Sequence, residues 1–173
     1  LRGHGPEDVI ELTMALGEVM MELAGIDGGR AALEDAIDSG KALQKLIDVT
    51  AAQGGDPSFI EDPGELPKCS EEAVVTAPAA GFVTRCDALT IGVVATRLGA
   101  GREHQEDIID PGVGITLEAK VGDLVEAGQT LARVAYNDVA RWHAQQESLA
   151  SAWTIADSQP KSPDLVIERI EAS

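Results

Sequence analysis

The stretch "REHQEDIID", residues 102 to 110, gathers His104, Glu106, Asp107 and Asp110. Oxygen-rich clusters of this kind suit hard cations. One histidine among scattered acids is also what a chain with 30 Asp and Glu residues produces unaided, and the cluster reads as a solvated loop. Directly before it, "LGAGR" (98–102) sets a Gly-x-Gly beside an arginine. A phosphate cradle needs backbone N–H groups converging at a helix N-terminus. Here the glycines follow the apolar run Ile91, Val94, Ala95 and Leu98, at the wrong end of the helix dipole. They read as a helix stop and a loop, with Asp107 or Asp110 as partners within reach of Arg102. His4 and His143 stand alone, and no G-x-S-x-G or cysteine–histidine pattern supports a nucleophile. Cys69 and Cys86 lack metal spacing. They read as two reduced thiols, with a bridge open to them if their strands are neighbours. No catalytic, cofactor-binding or metal residue is assigned.

The elements that must position these residues fall into two parts. Pro6, Glu7 and Asp8 open a helix over 6–25, suited to its positive dipole end. Val9, Leu12, Leu16, Val19, Met20 and Leu23 recur at three- and four-residue steps and predict its inward face. Met14, Met20 and Met21 read as core filler rather than as a soft ligand site. Two more helices are predicted at 30–38 and 40–53, with Leu33, Ala36, Ile37, Leu43, Leu46 and Ile47 inward. "GGDPSFIEDPGELP" (54–67) reads as a linker. The pattern then becomes β-branched. Two short strands are predicted around a turn in 73–87, a helix within 89–101 ended by Gly99, a strand at 113–120, and two strands about Ala127-Gly128. A helix is predicted at 138–151, with Val139, Trp142 and Leu149 on one side, and a last strand in "PDLVIERIEA". The expected class is α+β, with helices at 1–53, a linker at 54–67 and a second module at 68–173.

Composition sets outer bounds. The net charge of −17 excludes a basic nucleic-acid surface. Aromatics are 3% of residues, so the core must be built from Ala, Val, Leu and Ile. No stretch approaches the roughly 20 apolar residues of a membrane-spanning helix, and a cytoplasmic location is expected. The opening "LRGHGPEDV" lacks Met and runs almost at once into a helix, the expected look of a truncated or processed start.

The run "VGDLVEAGQTLARV" (121–134), with "TAPAAGFVT" (76–84), resembles biotinyl and lipoyl carrier domains. About 36 residues separate the two motifs. Where carriers place their lysine, this chain has about Asn137 and Asp138, and neither offers an amine for biotin or lipoate. The longer set "GPEDVIELTMALG" (5–17), "GKALQKLIDVTAAQGGD" (40–56), "APAAGFV" (77–83), "IGVVATRLGAGR" (91–102), "IIDPGVGITLEAKVGDLVEAGQTLARV" (108–134) and "WTIADSQP" (153–160) resembles the C-terminal part of the pyrimidine nucleoside phosphorylase family, which includes thymidine phosphorylase.

That resemblance implies an α/β-hammerhead, or barrel-sandwich-like, module in the large α/β domain of a cytoplasmic homodimer. It implies reversible phosphorolysis of thymidine or uridine, with phosphate as co-substrate and no cofactor. The family's phosphate loop, Lys-His-Ser-Thr-Gly-Gly, and its base-binding arginine and Ser-x-x-x-Lys pair have no match here. No serine has a lysine four residues later. Those elements are expected ahead of Leu1, and no family catalytic residue is carried onto this chain. Three roles follow as expectations: a scaffold portion of a phosphorylase, inactive alone and with exposed apolar surface; a free-standing, non-catalytic hammerhead binding module; or a cofactor carrier, which the missing lysine opposes.

Overall fold

The computed structural model describes residues 1–161 and 164–170. The chain forms two compact units, Leu1–Glu65 with the described tail 164–170, and residues 66–161. In the first unit, α1 (Glu7–Leu23), α2 (Gly29–Asp38) and α3 (Lys41–Ala52) form near the predicted spans, although Leu46 of α3, expected inward, is exposed, and a short α4 (Ser58–Glu61) and a 3-10 turn (Pro63–Glu65) complete it. Gly28 and Gly40 start α2 and α3 in the left-handed region, at φ 111° and 76°. Arg2 donates to the carbonyls of Ile60 and Glu61 at 2.6 and 2.8 Å, tying the first residues to α4.

The inward face of α1 corrects the sequence expectation. Met14 is its buried residue, and Gly17 lies so close to α2 that an added Cβ would come 2.7 Å from Leu33 Cδ1. Val9, Leu12, Leu16, Met20 and Leu23, expected inside, face solvent. The helix has two apolar sides, and the more regular one is the outer one.

The second unit holds two three-stranded antiparallel sheets. One is ordered β1 (Glu71–Thr76), β5 (Thr130–Tyr136), β3 (Gly114–Leu117); the other β4 (Leu124–Val125), β2 (Gly81–Cys86), β6 (Trp153–Ala156). Helix α5 (Ala88–Ala95) continues into a wider turn, Thr96–Ala100, that Gly99 ends at φ 121°, as the sequence predicts. Helix α6 is Val139–Ala150. The class is α+β, and one apolar cluster is shared by both sheets and both helices: Val75, Leu131 and Val134 from the first sheet, Val83 and Trp153 from the second, Val94 from α5 and Leu149 from α6. Tyr136 stacks on Trp142 at 5.5 Å.

The two strands predicted around a turn are present as β1 and β2; they pair with other strands, β1 with β5 and β2 with β4 and β6. One further expectation is corrected. The predicted final strand is absent from described residues 164–170, which form no strand; its remaining residues lie outside those described. The tail is linked to α1 by an ion pair between Arg169 and Glu22.

Candidate functional site

The carrier-like motifs act as fasteners between strands. Ala77 N–H donates to Gln129 O, and Gly128 N–H returns to Ala77 O, both at 2.8 Å. Val83 N–H donates to Asp123 O, and Gly122 N–H returns to Val83 O, both at 2.9 Å. Gly122 and Gly128 adopt φ of 100° and 82°, which favours glycine. The Asp123 carboxylate accepts from Lys120 N–H at 2.7 Å, and the Gln129 amide oxygen from Glu126 N–H at 2.9 Å. Thus the Gly-Asp and Ala-Gly-Gln runs each close a turn and stitch "TAPAAGFV" to the opposite chain.

The expected lysine positions are also structural. Asn137 Oδ1 accepts from Ser70 N–H at 2.9 Å, and its Nδ2 donates to Asp110 at 2.7 Å. Asp138 is the N-cap of α6, accepting from Arg141 N–H at 3.0 Å. This is the usual service of an N-cap carboxylate.

The loop "REHQEDIID" is held by its own acids. Asp107 accepts from the backbone N–H groups of Glu103 and His104 at 3.0 and 2.9 Å. Those two bonds, then the charges of His104 and Arg141, hold its carboxyl below the usual range. Asp110 accepts from Gly112 N–H at 3.0 Å as well as from Asn137, and these bonds lower its pKa too. Both carboxylates are engaged elsewhere than with Arg102. Among the described residues, no three His, Cys, Asp or Glu side chains are grouped to hold a metal ion.

A cavity of about 430 Å³ lies between this loop and α6, lined among others by Arg97, Glu103, His104, Asp107, Arg141 and Gln145. Arg97 pairs with Glu103 at 3.1 Å and Arg141 with Asp138 at 3.5 Å, so its cations are already answered by acids. Gln145 Oε1 is buried with no hydrogen-bond partner among the described residues. The site can accept a polar group, but it does not set a nucleophile beside a base. No sequence signal points to Gln145, since a lone glutamine on a helix has no spacing to read, and Asn137 is visible only as a carrier position without an amine. His4 borders a separate cleft in the first unit, beside Arg30 and Glu34. Arg30 pairs with both Glu11 and Glu34, and this pairing lowers the Glu11 pKa.

Neither thiol is activated. Cys69 and Cys86 are free. Burial, then the nearby carboxylates of Asp110 and Asp87 respectively, push their pKa values up. A thiol so placed is a poor nucleophile.

Residues 82–156 match the family model described as the pyrimidine nucleoside phosphorylase C-terminal domain. The chain is 46% identical over 141 residues to a pyrimidine-nucleoside phosphorylase of Bacillus subtilis, covering 79% of this chain and 33% of that protein. It is 40% identical to a pyrimidine-nucleoside phosphorylase of Staphylococcus aureus, covering 96% of this chain and 39% of the relative. It is 38% identical to a thymidine phosphorylase of Mycobacterium tuberculosis, covering 98% and 38%. The chain therefore spans between a third and two fifths of the length of the relatives it matches.

Proposed function

Since the chain belongs to the pyrimidine nucleoside phosphorylase family, whose C-terminal domain it carries, we propose that it is the scaffold portion of an enzyme of reversible phosphorolysis. In that reaction a phosphate oxygen attacks C1′ of a pyrimidine nucleoside or deoxynucleoside. The glycosidic bond breaks, the base leaves with the bonding electrons and takes up a proton, and (deoxy)ribose 1-phosphate forms. Thymidine and uridine are the proposed substrates, phosphate the co-substrate, and no cofactor takes part. The working assembly is a cytoplasmic homodimer.

The observation that carries the scaffold role is the use made of the motif residues. Gly122, Asp123, Gly128, Gln129, Asn137 and Asp138 all go into turns, strand fasteners and a helix cap. Phosphorolysis needs fixed groups that orient phosphate and stabilise developing charge. The paired arginines and capping acids of the loop–α6 cavity do not offer such a set.

The test is a pair of proteins. One is the chain alone. The other is a chimera in which the chain replaces the matching region of the Bacillus subtilis relative. Phosphate-dependent release of uracil or thymine is expected from the chimera and not from the chain. Release by the chain alone overturns the scaffold assignment. A folded but inactive chimera, beside an active parent, overturns the enzyme assignment.

A further inference from the structure

The cavity between the 102–110 loop and α6 holds an acceptor that nothing answers. Gln145 Oε1 is shut off from solvent and accepts no hydrogen bond among the described residues. A buried acceptor left unmet costs free energy, which an incoming N–H donor recovers. Arg97 and Arg141 also line the cavity. Arg97 is engaged through Nε by Glu103 at 3.1 Å, and Arg141 through Nε by Asp138 at 3.5 Å. A guanidinium has five N–H donors, so the terminal amino groups of both remain to be used.

The charges of the lining balance, Arg97 and Arg141 against Glu103 and Asp107. An anion entering here meets two carboxylates, and a cation meets two guanidinium groups. A neutral ligand meets neither opposition. Ile108 lies on the rim with 90% of its surface exposed, and Ala144 stands in the same lining. Together they offer apolar contact to the face of a ring. The volume of about 430 Å³ is in the range of small-molecule sites.

We infer that this cavity binds a neutral planar imide, of which the pyrimidine base released in phosphorolysis is the natural member. One acceptor and two donor groups are the complement of an edge that reads C=O, N–H, C=O. The imide N–H is given to Gln145 Oε1 once the carboxamide turns toward the opening. The two flanking carbonyls accept from Arg97 and Arg141, and the ring lies against Ile108. The identity of the base rests on the proposed function; the hydrogen-bonding character of the site does not.

Uracil and its two N-methyl isomers test this on the whole chain. In ¹⁵N-labelled protein, uracil is expected to give saturable shifts at residues 96–108 and 141–145 and at the Gln145 side-chain amide. 1-Methyluracil keeps the imide edge and is expected to bind as uracil does. 3-Methyluracil has the same size but no imide N–H, and is expected to bind at least tenfold more weakly. Gln145→Leu is expected to lose uracil binding to a similar degree, and inorganic phosphate to cause no shift at these residues. Equal binding of the two isomers overturns the inference, as do saturable shifts elsewhere or none at all, which would leave a cavity that holds only water. The isomer pair decides on the unaltered chain even where Gln145→Leu does not fold. An active Bacillus chimera beside a chain that binds no uracil sinks the imide site alone. Isomer-selective binding beside an inactive chimera sinks the enzyme assignment alone.

Discussion

Leu149→Ala is the most direct probe of the second unit. Leu149 lies on α6, is 0% exposed, and belongs to the cluster that joins both sheets. The substitution deletes three carbon atoms. At about 0.8 kcal/mol per buried CH₂ the transfer loss is about 2.4 kcal/mol. The surroundings are a closed set of strands and helix, so part of the cavity should persist and raise the total to about 3–4 kcal/mol. Urea unfolding followed by tryptophan fluorescence measures this cleanly. The only two tryptophans, Trp142 and Trp153, are both buried in the second unit, so the signal reports that unit whatever the helical unit does. With a slope of about 1–1.5 kcal/mol/M for a unit of this size, the midpoint should fall by about 2–4 M with the slope unchanged. A fall of less than about 0.5 M would mean that α6 is not fastened to the sheets by this side chain, and the shared-core description would be wrong.

Three other outcomes are expected. Gly81→Ala should destabilise the second unit, because φ is 149° and a Cβ would come 2.7 Å from the Ala156 carbonyl oxygen across the β2–β6 pair; a melting temperature equal to the parent's would contradict that pairing. Asn137→Ala should raise the Asp110 pKa, seen by NMR titration of its carboxyl carbon, since the Asn137 amide is the largest cause of the lowering. A depressed folded-state pKa contributes stability that is present above the ordinary carboxylate value and lost as pH falls through the folded one. The variant's acid unfolding should therefore start at higher pH than the parent's, and an unshifted acid limb would refute the link. Cys69 and Cys86 should react with a disulfide reagent near pH 8 more slowly than free cysteine, and faster labelling would contradict their raised pKa values.

Local signals read well and long-range ones did not. Gly99 was legible as a helix stop because the φ of 121° it adopts there is one that glycine supplies without strain. The strand positions were legible from β-branched runs, but their partners were not, since pairing β1 with β5 spans more than fifty residues and leaves no trace in either strand's composition. The face of α1 was misread for a specific reason. Periodicity reports that a stripe is apolar, not which neighbour covers it, and this helix has two such stripes. The tail "LVIERI" has the alternation of a strand, but described residues 164–170 pair with none. Gln145 and Asn137 gained their roles only through side-chain contacts that no sequence spacing encodes.

The carrier-like motif shows why a motif must be read with its neighbours. A Gly-Asp turn and an Ala-Gly-Gln turn are demanded by backbone geometry: each supplies a left-handed glycine and a side chain that caps its own turn. Any barrel-sandwich chain that folds back at these points meets the same demand, whether or not it carries a prosthetic group. The chemistry of a carrier lies in one lysine held clear of the fold. At the corresponding place this chain has Asn137, bonded to Ser70 and Asp110, and Asp138, capping α6. Both side chains are exposed, and both are engaged in fastening the inserted loop and the helix rather than presented free as an attachment point. Function belongs to sites set on a fold rather than to the fold, and here the residues at the site have been taken over by the architecture.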